Sequence, residues 1–136
     1  MGRREGKQKT REKLIILKYS FLLSFLAKPH VHFLQNTSSA LAETSANLSC
    51  VVYGFPKPDV LWIKNNRQIH QNDHYYILEI PTSMVYTWQS VLNIVSTWQN
   101  DTGNYSCFVR NVAGTNIANM LLNVFGMNFS CHITFS

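Results

Sequence analysis

Several stretches of the chain alternate apolar and polar residues with a period of two, and each predicts a strand with one buried face: Leu48, Cys50 and Val52; Val60 and Trp62; Tyr105, Cys107 and Val109. The same reading places strands near 31–35, 46–53, 59–64, 67–70, 74–80, 88–95, 103–110 and 115–125. The connections carry their own chemistry. Gly54-Phe-Pro-Lys-Pro58 ends a strand, because proline fixes φ and donates nothing to a ladder. Asn65-Asn66 predicts a tight turn into the short 67–70 strand, which would be an edge. Asn111-Val-Ala-Gly114 predicts the hairpin joining the last two strands, with Gly114 supplying a backbone angle that other residues resist. The Ser/Thr/Ala-rich stretch 36–45 reads as an irregular crossing, and neither an internal repeat nor a long helical period interrupts the strands. The expected class is all-β, with the inward faces meeting in one core.

The start of the chain breaks the pattern. Arg3, Arg4, Lys7, Lys9, Arg11 and Lys13 precede an apolar stretch from Leu14 to Ala27 that is too short for a standard membrane span. A basic segment followed by such a stretch predicts a secretory leader. Lys18 interrupts it, and cleavage after Ala27 would put Phe25 where a small residue is preferred; a short anchor, or a fragment lacking its true start, are the other readings. The expected division is a basic leader with an apolar signal-like segment at 1–28, a sandwich at 29–125, and a short tail at 126–136 in which Cys131 has no evident partner.

Charge looks different once the leader is set apart. The whole chain has 12 Lys and Arg against 7 Asp and Glu, a net +5. The sandwich segment carries Lys57, Lys64, Arg67 and Arg110 against Glu43, Asp59, Asp73, Glu79 and Asp101, which is close to neutral. No basic cluster falls on the folded part, so nucleic acid is not an expected partner.

Cys50 and Cys107 could be buried free thiols or a bridge; spacing alone leaves both open. Their context narrows the choice. Cys50, the Gly54-Phe-Pro-Lys-Pro58 turn, Val60-x-Trp62-x-Lys64, Leu92-x-Ile94, Asp101-x-Gly103-x-Tyr105-x-Cys107 and Asn111-x-x-Gly114 together resemble an immunoglobulin domain of the intermediate (I-set) type, over about residues 29 to 125. The resemblance implies an immunoglobulin-like two-sheet β-sandwich with Greek-key connections and one inter-sheet disulfide, Cys50 to Cys107. It implies Trp62 against that bridge, Tyr105 pinning the corner at Asp101, and Leu92 in the core. The chain-entropy model puts such a bridge at about 4 kcal/mol.

A bridge needs an oxidising compartment. Glycan acceptors of the form Asn-x-Ser/Thr begin at Asn36, Asn47, Asn100, Asn104 and Asn128. Asn47 and Asn104 alternate with inward residues and should face solvent, and Asn100 falls in a predicted turn. Asn100 and Asn104 are too close for both to be expected on one molecule.

His30-x-His32 and His70-x-x-x-His74 invite a metal reading, but the second pair would need a helix to align where strand and turn are expected. These histidines are expected to face solvent. No glycine-rich phosphate cradle, nucleophile elbow or zinc signature occurs, so no catalytic residue, metal or cofactor is expected, and Asp101 reads as a corner residue. The resemblance implies an extracellular protein-binding module of an adhesion, receptor or matrix-type protein, with an unidentified protein partner, homophilic binding included. Tyr75, Tyr76, Tyr86 and Trp88 are the candidate contacts, as aromatic side chains give large interface area, and Trp98 is expected to shield the corner. Membrane contact would come only through a parent protein or the uncleaved leader. The competing readings are an intracellular structural spacer of the kind found in giant muscle proteins, and a piece or isoform of a larger receptor of the leucine-rich-repeat or kinase type.

Overall fold

The computed structural model describes residues 2–126. A helix, α1 (Gly2–Ser24), precedes the strands and leaves Leu14, Ile15, Ile16, Leu17, Tyr19 and Leu23 exposed. No helix among the described residues is long and apolar enough to cross a membrane.

The strands are β1 (Ala27–Phe33), β2 (Thr37–Leu41), β3 (Ala46–Phe55), β4 (Asp59–Lys64), β5 (Arg67–Gln68), β6 (Tyr75–Pro81), β7 (Thr87–Ile94), β8 (Gly103–Asn111) and β9 (Gly114–Phe125). They form two sheets, ordered β1-β3-β7-β6 and β2-β9-β8-β4-β5. This is an immunoglobulin-like sandwich. The alternation read from the sequence carries over directly: Leu48, Cys50 and Val52 of β3 and Tyr105, Cys107 and Val109 of β8 are buried, and Trp62 of β4 lies opposite Cys107. Leu92 of β7 is paired with Leu48 and fully buried. Each such large apolar side chain contributes about 1.5–3 kcal/mol on burial.

The Cys50–Cys107 disulfide joins the two sheets across a Cα separation of 6.7 Å and closes a sequence separation of 57. Trp62 covers the core beside it, donating Nε1–H to Ser90 Oγ at 2.9 Å and meeting the Phe33 ring edge-on at 5.7 Å. A buried indole N–H normally requires such a partner.

Two expectations about the first strands are corrected. The stretch 36–45 is not wholly irregular, because Thr37–Leu41 forms β2 and pairs in parallel with residues 121–125 of β9. Its side chains alternate between exposed and half-buried, so no strong apolar period marks it; the neighbouring backbone makes the strand. β1 begins at Ala27, ahead of the expected Val31, and ends at Phe33. Pro29 fits inside it because β1 is an edge strand whose register shifts between Ala27 and His30.

The turns follow their residues. Asn65 and Asn66 have φ of 46° and 67°, the left-handed pair that a tight hairpin turn needs, and they lead into the edge strand β5. Gly114 has φ of 154°, strained for residues with a side chain. Gly54 is required by crowding instead: a Cβ there would lie 2.7 Å from Pro58 Cγ.

Candidate functional site

Between β7 and β8 the chain crosses from one sheet to the other through a single 3₁₀ turn at Gln99–Asp101. The crossing is held from inside. The Tyr105 hydroxyl donates to the Asp101 carbonyl oxygen at 2.6 Å, with both residues buried. This hydrogen bond back along the chain is the arrangement that the tyrosine two before the second cysteine implied.

The Asp101 carboxylate is only 3% exposed and therefore needs donors. It has several. His74 Nε2 lies 2.8 and 3.0 Å from its two oxygens, the Tyr75 hydroxyl donates to Oδ1 at 3.1 Å, and the Trp98 backbone N–H donates to Oδ2 at 2.7 Å. Trp98 then stacks on the His74 ring at 4.5 Å while staying 59% exposed, covering the cluster as expected of it. Lys64 adds a cation at the rim, donating Nζ–H to the Asn100 carbonyl and lying 5.8 Å from the Tyr105 ring centroid. Burial pushes the Tyr75 hydroxyl above the usual phenol range, and the Asp101 carboxylate pushes the same way. The Tyr105 hydroxyl is raised too, by burial first and then by the neighbouring Tyr75 and Asp101 groups.

The solvent-facing placement expected for the histidines is therefore corrected at His74, which is folded against the corner; His30, His32 and His70 are exposed. His74 was missed as a structural residue because no local motif marks it. The available signal was the corner aspartate itself, since a buried carboxylate implies a donor elsewhere in the chain. Among the described residues, no group of three or more His, Cys, Asp or Glu side chains is placed to hold a metal.

The candidate contact residues scatter. Tyr75 gives its hydroxyl to Asp101. Tyr76 lies on the outer face of the four-stranded sheet, 46% exposed. Tyr86 sits at φ 57° in the β6–β7 turn, 41% exposed, against the Phe55 ring at 5.0 Å. Trp88 pairs with the inward Val52 at the end of the sheet and carries Lys57 Nζ 5.5 Å from its ring; Lys57 also meets Glu79 at 2.6 Å. Tyr86 and Trp88 lie near each other in the chain at the end of the sheet opposite the corner, whereas Tyr75 and Tyr76, though adjacent, point to opposite faces of β6.

Asn36, Asn47, Asn100 and Asn104 are all exposed. Asn128, Cys131 and the rest of the expected tail beyond Gly126 lie outside the described residues. A further polar residue, Asn111, emerges as a clamp: its Nδ2 donates to the Ala27 and Pro56 carbonyls at 2.8 and 3.0 Å, tying the β8–β9 hairpin to β1 and to the β3–β4 turn.

The family model for the immunoglobulin domain matches residues 28–111, and the chain belongs to that family. Neural cell adhesion molecule 1 of Homo sapiens is 34% identical over 101 residues, covering 71% of this chain and 11% of that protein. The striated-muscle M-protein of Gallus gallus is 32% identical over 79 residues, covering 58% of this chain and 5% of that protein. Among solved structures, the titin M10–obscurin-like 1 Ig complex aligns with TM-score 0.62 and 26% identity, over 75% of this chain and 98% of that one. The chain spans only a small part of its curated relatives, 2% of mouse hemicentin-1 and 26% of Drosophila melanogaster protein amalgam. Domains of this family thus occur in adhesion molecules and in muscle proteins, and they are generally binding modules, not catalysts.

Proposed function

We propose that this domain is an extracellular protein-binding module belonging to an adhesion, receptor or matrix-type protein, and that it works by surface recognition. The observation that carries the reading is the Cys50–Cys107 bridge at the centre of the core, which persists only under oxidising conditions. The basic then apolar α1, placed directly ahead of β1, supports it as a secretory leader, and so do exposed glycan acceptors on both sheets. The partner is a protein, a second copy of this chain included. Tyr86 and Trp88 are the proposed anchors, because Tyr75 is committed to the corner.

The likeness to M-protein and to a titin complex favours a second reading, a structural spacer working in reducing surroundings. One experiment separates the two. The chain is expressed in animal cells, and its intact mass is measured from medium and lysate, non-reduced, before and after glycan removal. A processed, glycosylated, singly bridged product in the medium is the expected result. An unprocessed chain with free thiols confined to the lysate overturns the extracellular reading and favours the spacer.

A further inference from the structure

The outward face of the four-stranded sheet is free of formal charge across β3, β6 and β7. Register places its side chains in rows: Tyr76, Asn93 and Asn47; Leu78, Val91 and Ser49; Ile80, Gln89 and Val51. Tyr76, Leu78 and Ile80 form one column on the edge strand and are 46%, 41% and 43% exposed. The solvated face of an antiparallel sheet ordinarily turns polar residues outward, so a half-exposed apolar column on an uncharged face calls for a cover.

The first half of the β6 edge is already engaged by its own loop. Tyr75 and Ile77 already donate their backbone N–H groups to Asn72 Oδ1 at 2.8 Å and Gln71 Oε1 at 3.3 Å. The Tyr75 carbonyl accepts from Asn72 N at 2.9 Å, and Pro81 at the far end has no N–H. Tyr76, Leu78 and Ile80 project from one face of the sheet and not along its edge, so what covers them lies over that face.

That face carries its own attachment point. Asn47 and Ser49, the outer residues of one acceptor triplet, point outward together while Leu48 is buried between them. Asn93 Nδ2 donates to Asn47 Oδ1 at 2.6 Å, so the bond engages the amide oxygen and not the nitrogen to which a glycan is joined. Tyr76 stands in the same row as Asn47, two strands away, about 10 Å at the usual strand spacing. The other acceptors differ in their surroundings: Thr102 of the Asn100 triplet accepts from Val124 N at 2.8 Å in the corner, and Asn104 lies beside Asn65, Asn66 and Asn119 on an amide-rich face.

We propose that Asn47 is N-glycosylated and that its glycan is the cover of the Tyr76, Leu78 and Ile80 column, with sugar C–H faces resting on the tyrosine ring. The inference rests on the extracellular reading above. In the transfer, Asn47 Nδ2 bonds to C1 of an oligosaccharide carried on a lipid diphosphate. The C1–O bond breaks, the diphosphate leaves with the electron pair, and the amide gives up one proton.

The test is glycopeptide mass mapping and light scattering of the secreted full chain, of Ser49→Ala and Asn47→Gln, and of Ser49→Ala combined with Leu78→Lys. The expected result is an occupied Asn47 in the parent, complete loss of that glycan in both single variants, and a shift of both from monomer to concentration-dependent self-association. Leu78→Lys should restore the monomer. Two results overturn the proposal while leaving the extracellular reading intact: glycans at other acceptors with Asn47 bare, the face then covered by a second copy if the parent is a dimer that Leu78→Lys dissociates; or an occupied Asn47 whose loss leaves the monomer unchanged. Absence of glycan from every acceptor, with no chain in the medium, overturns both.

Discussion

The Tyr105 hydroxyl and the Asp101 main-chain carbonyl meet at 2.6 Å inside the corner that joins the two sheets. Removing the hydroxyl strands a buried carbonyl without removing the ring. Tyr105→Phe is therefore expected to cost about 1–3 kcal/mol, read as a lower denaturant midpoint at unchanged slope. A midpoint identical to the parent would mean that the corner is held without this bond.

His74 and Tyr75 serve the same carboxylate from the start of β6. Each of His74→Ala and Tyr75→Phe should destabilise, His74→Ala by about 1.5–3 kcal/mol because the acceptor is ionic and buried. The pair should be coupled by about 0.5–3 kcal/mol, since one donor left alone can still orient Asp101. A double-mutant cycle with additive effects would show that the two act independently.

Trp62 and the disulfide share the centre of the sandwich. Trp62→Ala should cost about 3–5 kcal/mol through the cavity and lost contacts, and replacing both Cys50 and Cys107 by Ala about 2–5 kcal/mol. Chemical denaturation of the oxidised and reduced parent beside these variants measures both. A Trp62→Ala midpoint equal to the parent's would remove the indole from the core.

Alkaline stability follows from the raised hydroxyls of Tyr75 and Tyr105. A group whose folded pKa lies above its unfolded value stabilises fully below the unfolded value, here 10.0, and that contribution falls as pH rises through and beyond it. Thermal melts should thus lose midpoint steeply above about pH 10, and Tyr105→Phe should flatten the loss. An unchanged slope in that variant would place the alkaline transition on another group.

Much of this arrangement was legible beforehand, and the reasons are local. The sequence predicts β4 at Asp59–Lys64, where the structure has it, because apolar residues alternate between clear turn signals. β2 escapes such a reading because an edge strand of Thr, Ser and Ala ending at Leu41 has little side-chain pattern to show, its order coming from β9. The acceptor position of Asn47 could be read from alternation, but its hydrogen bond to Asn93 and its row with Tyr76 depend on which strands pair and in what register.

By itself the sequence determined the strands that bury a face, the cysteines, tryptophan and tyrosine that close the core, and the turns where proline, glycine and asparagine restrict the backbone; all of these are short-range consequences of residue type. The tertiary structure alone decided that His74 reaches across 27 positions to Asp101, that Trp98 stacks on it, and that Asn111 reaches across 84 to hold β1. A buried polar group must find a partner, but only the packed chain decides which distant residue is near enough to serve.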